Sequence, residues 1–234
     1  VGNITLELMP GGGSANRIIV VPGANMTITE EDIAFLEKDM ASFDMVILQF
    51  EIPMEINVKV AQLAKHHGVP VMVNPAPAAT IPSELMACTA YLSPNEHEAA
   101  ALTGIPIRVE GGLNLEDVRK VAEILREQGA SHLLVTLGEN GAAVSEGKQV
   151  EHVMAVPHVK VADPTAAGDS FVGAFCTGVC AGLNHRQAID FARNTAALTV
   201  ARMGAQPSLP YLADVIEALR VHGESDFPFE KLDA

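Results

Sequence analysis

Cysteine is scarce in this chain: three in 234 residues, Cys88, Cys176 and Cys180. An odd, sparse set builds no disulfide framework and points to a reducing, cytoplasmic setting. Cys176 and Cys180 fall four apart on one expected helix, as small packing residues do. Basic residues are also few. Fifteen Lys and Arg against 29 Asp and Glu leave a formal net charge of −14. A field of that sign repels a polyanion and argues against nucleic acid as a partner. It does not bear on a small phosphate ligand, which is held by a local cradle. There is no run of 18 apolar residues, and no basic segment precedes an apolar stretch, so neither a membrane span nor a signal peptide is expected. The eight histidines are scattered. None has His-x3-His spacing and no cysteines have Cys-x2-Cys spacing, which predicts no transition-metal site. A Walker-type G-x4-G-K-[ST] loop and a G-x-G-x-x-G loop are both missing, so any phosphate cradle must be built another way.

What is present is an ordinary globular composition, 48% hydrophobic and 19% charged, of a length that suits one large domain or two small ones. Ile4, Leu6 and Leu8 alternate, Pro10 to Asn16 turn, and Arg17 to Val21 is again strand-like, which reads as a hairpin. Strand and helix then alternate. A helix is expected from the acidic turn at Glu30-Glu31-Asp32 to Met40, behind Thr27 and Thr29. Continuous apolar runs at 44–50 and 132–136 read as buried strands, covered on both faces, 70–73 as another short apolar strand and 90–92 as a strand. Helices are expected at 54–67, 83–87, 95–102 and 115–128. A second hairpin follows (142–144 and 149–155), then helices at 167–181, 186–202 and 209–221. No internal repeat or low-complexity linker interrupts the pattern. The expected class is α/β, a doubly wound, mostly parallel sheet with helices on both faces. Ligands gather at the carboxyl ends of the strands in such sheets.

The strongest local signal is Asp163-Pro164-Thr165-Ala166-Ala167-Gly168-Asp169, between a strand and an apolar helix. Thr165 to Gly168 are small, and amides at the start of a helix have no partner in the helix itself, which makes an anion site. Asp169 lies beside them, where the helix dipole favours its ionised form. It can accept a proton from a hydroxyl, although a capping acid on a tight turn has the same local features.

This run resembles the D-T-x-G/A-A-G-D signature of the ribokinase-like (pfkB) sugar kinases. Pro164 stands where that family usually has threonine, and Ala166 where glycine is commoner. Other segments match in the same order over nearly the whole chain. Asn74-Pro75-Ala76-Pro77-Ala78 resembles a stretch that follows a family strand. Ser93-Pro94-Asn95-Glu96-His97-Glu98 resembles the N-x-x-E motif, and Thr136-Leu137-Gly138-Glu139-Asn140-Gly141 a nucleotide loop. Leu48-Gln49-Phe50-Glu51, Gly204-Ala205-Gln206-Pro207-Ser208 and Pro22-Gly23-Ala24-Asn25 fit the ribose-phosphorylating branch better than the fructokinase or adenosine kinase branches. Taken alone, Glu51 and Glu98 also read as solvated acids, and Gly138 to Gly141 as a hairpin turn. Gly11 to Asn16 imitates the family's sugar-binding G-G-K-G-A-N motif, but it lacks the lysine and reads as a hairpin tip.

The resemblance implies an ATP-dependent transfer of phosphate to ribose. Asp169 would be the general base, and Ala166, Ala167 and Gly168 the anion hole. Glu51 and Asp163 would contact the sugar. Asn95, Thr136, Gly138 and Gly141, with Gly168, would hold the nucleotide, and Arg193 and Asn194 would lie near adenine. Glu98 would act on Mg²⁺ through water. Asp163, Thr165, Thr199, Arg202, Gly204 and Ser208 would line a K⁺ site, largely through carbonyl oxygens. The resemblance also implies an N-terminal portion ahead of Val1, with residues 1–22 as a remnant of a small β lid and 23–234 as the nucleotide-binding and catalytic core. Lid-to-lid homodimers occur in the family. A related sugar or nucleoside kinase, or a nucleotide-binding protein without turnover, is the alternative.

Overall fold

The structure is a computed structural model that describes residues 4–8, 17–109, 112–222 and 226–232. Strands β1 (Ile4–Leu8) and β2 (Arg17–Val21) pair antiparallel in a separate two-stranded sheet, as the alternation predicts. The expected hairpin tip, Gly11 to Asn16, lies outside the described residues.

The helix expected over 30–40 is replaced by tight turns, of which only α1 (Leu36–Asp39) is α-helical. The Thr29 amide and hydroxyl both donate to Asp32 Oδ2 at 2.8 Å, as at a helix start, but i→i+3 bonds then run from Ala34 to Glu31, Leu36 to Ile33 and Glu37 to Ala34. That tight pattern propagates poorly as an α-helix.

The remaining alternation is realised as expected: β3 (Val46–Leu48), α2 (Met54–His66), β4 (Val71–Val73), α3 (Ser83–Met86), β5 (Tyr91–Leu92), α4 (Glu96–Thr103), α5 (Leu115–Glu127) and β6 (His132–Thr136). An antiparallel pair follows, β7 (Ala142–Glu146) and β8 (Gln149–Val153), then α6 (Ala167–Cys180), α7 (His185–Val200) and α8 (Leu212–His222). The six strands β3 to β8 lie in sequence order. The first four are parallel and the last two antiparallel. Right-handed crossovers that step always in one direction put their helices on one face. One core therefore joins α2, α3, α4 and α5 to Val71, Val73, Leu133 and Val135. The other joins α6, α7 and α8 to Met72, Leu134 and Val144. Consecutive residues of β4 and β6 point into opposite cores and are buried on both sides, which is why these strands are uninterrupted apolar runs.

This stacking sets the site. The residue after each parallel strand emerges at one edge of the sheet: Gln49 after β3, Asn74 after β4 and Ser93 after β5. Thr136 closes β6 there. The amino end of α6 is brought to the same edge.

Candidate active site

A chain of side-chain hydrogen bonds crosses that edge. Asn74 Nδ2 donates to the Ser93 carbonyl at 2.6 Å. Gln49 Nε2 lies 3.2 Å from Asn74 Oδ1 and donates to Asp169 Oδ1 at 2.9 Å. Asn57, fully buried in α2, donates to the Gln49 carbonyl at 2.9 Å and fixes its backbone. Asp169 itself is exposed. The Asp169 carboxylate is thus oriented from two strand ends, through Gln49 and Asn74. Sequence reasoning assigned neither of these two to the site. A signal was available: each is the first polar residue after a fully apolar run.

Asp169 sits in the first turn of α6. Ala166 caps the helix in the left-handed conformation, with φ of 61° and ψ of 11°. The helix ladder begins with Ser170, whose amide donates to the Ala166 carbonyl at 2.9 Å, and the Ala167 amide turns back onto the Pro164 carbonyl at 3.2 Å. Of the expected anion hole of Ala166, Ala167 and Gly168, the Ala167 amide is therefore not open to a ligand. Among the described residues, the amides of Ala166, Gly168 and Asp169 have no acceptor, and that of Ala167 is engaged. An exposed carboxylate flanked by open amides at a helix start can bind an anion and take a proton.

Asp163 is fixed on the other side of this turn. Its Oδ1 accepts from the Thr165 amide at 3.0 Å and its Oδ2 from the Gly204 amide at 2.8 Å. The Thr165 hydroxyl, the Thr165 amide and then the Gly204 amide hold its carboxyl below the usual carboxylate range. The amides of Ala162 and Asp163 both donate to the Val200 carbonyl at the end of α7. Of the expected K⁺ residues, Asp163, Thr165 and Gly204 are joined directly. Thr199 and Ser208 are fully buried, and their hydroxyls donate to the Thr195 and Ala205 carbonyls, so carbonyl oxygens are what they could offer a cation. The Arg202 guanidinium turns to Asp214, with Nη2 at 3.3 Å from Oδ2. No ion pair involves Asp163 among the described residues, so its charge lacks a cationic partner.

Asn95 and Thr136 are neighbours through an isolated parallel bridge, and the Thr136 amide donates to the Pro94 carbonyl at 3.1 Å. Asn95 caps α4. Its Oδ1 accepts from His97 and Glu98 amides, while Glu98 Oε2 accepts from the Asn95 amide at 2.8 Å. This is a reciprocal capping box. Glu98 keeps its other oxygen outside the box, and burial raises its pKa. Gly138 has φ of 54° with open space around a would-be Cβ. Gly141 has a different reason to be glycine. A Cβ there would lie 2.0 Å from the Val153 carbonyl, so the residue permits close packing of the β7–β8 hairpin.

A cleft of about 680 Å³ lies between α7, α8 and the segment 156–162, lined by Val156, Asn194, Ala197, Leu198 and Ala201 among others. Asn194 is fully buried, with Nδ2 on the Asp190 carbonyl and Oδ1 without a partner. Arg193 does not line this cleft. It pairs with buried Asp190 and donates to the Met154 and His222 carbonyls at 3.1 and 3.0 Å, so it braces the cleft's frame. Glu51 is exposed beside Gln49 and forms none of the described hydrogen bonds.

Residues 4–212 match the pfkB family of carbohydrate kinases. The chain is 37% identical over 201 residues to a ribokinase of Staphylococcus aureus, covering 86% of this chain and 64% of that protein. It is 35% identical over 201 residues to a ribokinase of Schizosaccharomyces pombe, covering 86% and 62%. The chain thus spans less than two thirds of the length of these relatives. In three dimensions it is similar to the Arabidopsis thaliana ribokinase complexed with ribose and ATP, with a TM-score of 0.83 and 32% identity over 93% of this chain and 69% of the other. The Thermotoga maritima ribokinase superposes with a TM-score of 0.78 and 34% identity, over 92% and 69%.

Proposed function

The chain belongs to the pfkB family of carbohydrate kinases, and from that premise we propose that it transfers the γ-phosphoryl group of ATP to the primary hydroxyl of ribose. The observation that carries this reading is the exposed Asp169 carboxylate, held by Gln49 at 2.9 Å and flanked by the open amides of Gly168 and Asp169. The sugar oxygen attacks the γ-phosphorus, its proton passes to Asp169, and the bond to the β-phosphate oxygen breaks to release ADP. Charge builds on the transferring oxygens, and the free amides of Ala166, Gly168 and Asp169 are the donors this turn has to offer it. Fixed dipoles of this kind cost no reorganisation at the moment of reaction.

The nucleotide lies across Asn95, Thr136 and Gly138, with its base toward the apolar cleft beside Ala197 and Leu198. Glu51 and Asp163 contact the sugar. The uncommitted oxygen of Glu98 fits the ordering of Mg²⁺-bound water, and the metal supplies charge neutralisation on the phosphates. Asp163, unpaired with any described cation, fits a monovalent K⁺ together with nearby carbonyls of the 199–208 segment. In both cases the chain's own part is to hold a carboxylate oriented.

ADP release from Mg-ATP tests the reading. Release should require ribose, rise with K⁺ and disappear in Asp169→Asn. Turnover with 2-deoxyribose or another sugar but not ribose would move the acceptor. Saturable ATP binding with no sugar-dependent release would leave a nucleotide-binding protein without turnover.

A further inference from the structure

The opposite edge of the sheet carries a second polar cluster. Tyr91 opens β5, His132 opens β6 and Glu146 closes the antiparallel β7. The strand register sets Tyr91 beside His132 and His132 beside Glu146. His185, the first residue of α7, folds over them. Tyr91 stacks on His132 with centroids 4.9 Å apart, and His185 meets His132 at 5.0 Å. One nitrogen or oxygen from each of His132, Glu146 and His185 lies within 4.8 Å of the others.

Aromatic packing alone leaves two features unexplained. The first is His132 Nδ1, which is buried and has no hydrogen-bond partner. Orphaned ring nitrogens are uncommon and unfavourable in a folded chain. The second is the direction of His185. Its Nε2 lies 3.2 Å from the Tyr91 hydroxyl, and its Nδ1 lies 3.6 Å from Glu146 Oε2. In the tautomer that donates Nε2–H to Tyr91, the Nδ1 lone pair faces the carboxylate. A hydrogen bond on the far nitrogen is how a metal-ligating imidazole is commonly held.

We propose that His132, Glu146 and His185 form a divalent transition-metal site of the zinc class, with Tyr91 positioning His185. Two imidazoles and one carboxylate are a ligand set that suits Zn²⁺ and its neighbours. Bonds of about 2.0–2.1 Å in a tetrahedron set ligand atoms about 3.4 Å apart, so the cluster has to contract. Glu146 can supply the movement, because its side chain is 66% exposed. Glu146 and His185, though not His132, line a cleft of about 440 Å³ with Arg119 and Lys148, leaving room for water or an anion in the fourth position. The ion would tie the start of α7 to the sheet, far from the catalytic edge.

The test uses the whole chain after stripping with a chelator, and Zn²⁺ alone as the probe. Competition against a chromophoric chelator should give one saturable equivalent, Zn²⁺ should raise Tm, and Co²⁺ should give the visible bands of a tetrahedral ion. Glu146→Gln and His185→Gln should each abolish the saturable equivalent and the Tm rise. Tyr91→Phe should weaken binding about tenfold or more. Glu146 is exposed, so its variant does not put folding at issue. A double His66→Gln/His67→Gln variant should bind as the parent does. Absence of a saturable equivalent, binding unchanged by Glu146→Gln and His185→Gln, or loss in the His66/His67 variant would overturn the proposal.

Discussion

Gln49 and Asp169 stand 120 positions apart and meet in one hydrogen bond, Nε2 to Oδ1 at 2.9 Å. The same Nε2 is 3.2 Å from Asn74 Oδ1, so a single amide sets the carboxylate against two strand ends. Asp169→Asn should lower kcat by roughly 10²-fold or more, as loss of a general base does. Gln49→Leu removes only the orientation and should lower kcat about tenfold with the KM for ATP nearly unchanged. Because Gln49 acts through Asp169, the double variant should be no slower than Asp169→Asn alone. Steady-state kinetics on the four proteins decides it, and additive losses would mean that Gln49 acts elsewhere.

The capping box of Asn95 and Glu98 allows structure and chemistry to be separated. Glutamine at the third helix position can keep the bond from the Asn95 amide. Glu98→Gln should therefore leave Tm nearly unchanged while raising the Mg²⁺ concentration that half-maximal turnover needs. Asn95→Ala removes the cap, at a cost of about 1 kcal/mol, and should lower Tm by about 2–4 °C. Thermal melts and Mg²⁺ titrations on both variants read the two effects apart.

The same strand ends explain what could be read in advance. Uninterrupted apolar runs such as Val71-Met72-Val73 announce strands buried on both faces, and the α/β class follows from their alternation with helices. The Asp163 to Asp169 turn was legible because its residues are contiguous. Gln49 and Asn74 were not assigned, because their role exists only once β3 and β4 are paired. His132, Glu146 and His185 have no metal spacing along the chain; strand register and a helix start assemble them. The helix expected over 30–40 is shortened to α1 because its backbone takes i→i+3 bonds over 31–37, which an apolar pattern does not distinguish from i→i+4 bonds. The close approach of Gly141 to the carbonyl of Val153, twelve residues on, is likewise invisible in the sequence.

Gly141 and Gly138 should accordingly respond differently to alanine. At Gly141 a φ of 85° and a Cβ 2.0 Å from the Val153 carbonyl act together. Left-handed strain and overpacking sum to about 3 kcal/mol or more, a fall in Tm of about 6–12 °C. Gly138 has φ of 54° and open space, so only the strain applies, about 1–2 kcal/mol. Denaturant melts of the two variants should rank them in that order, and equal losses would contradict the packing argument.

Arg108 grips Asp117 with Nε at 2.6 Å from Oδ2 and Nη2 at 2.7 Å from Oδ1, and its amide donates to Oδ2 at 3.2 Å. These bonds, the side-chain pair above all, hold the Asp117 carboxyl down to about 2 from an ordinary 3.8. A depressed carboxyl stabilises the fold fully above its unfolded value, and the contribution fades as pH falls through the folded one. The loop 105–109 is therefore pinned to α5 by a contact that weakens between about pH 4 and pH 2. Asp117→Asn should be less stable than the parent at neutral pH by an amount that stays constant down to about pH 4 and shrinks toward pH 2. Urea midpoints of both proteins at stepped pH give this difference directly. A difference that did not shrink below pH 4 would show that Asp117 acts through packing and not through its charge.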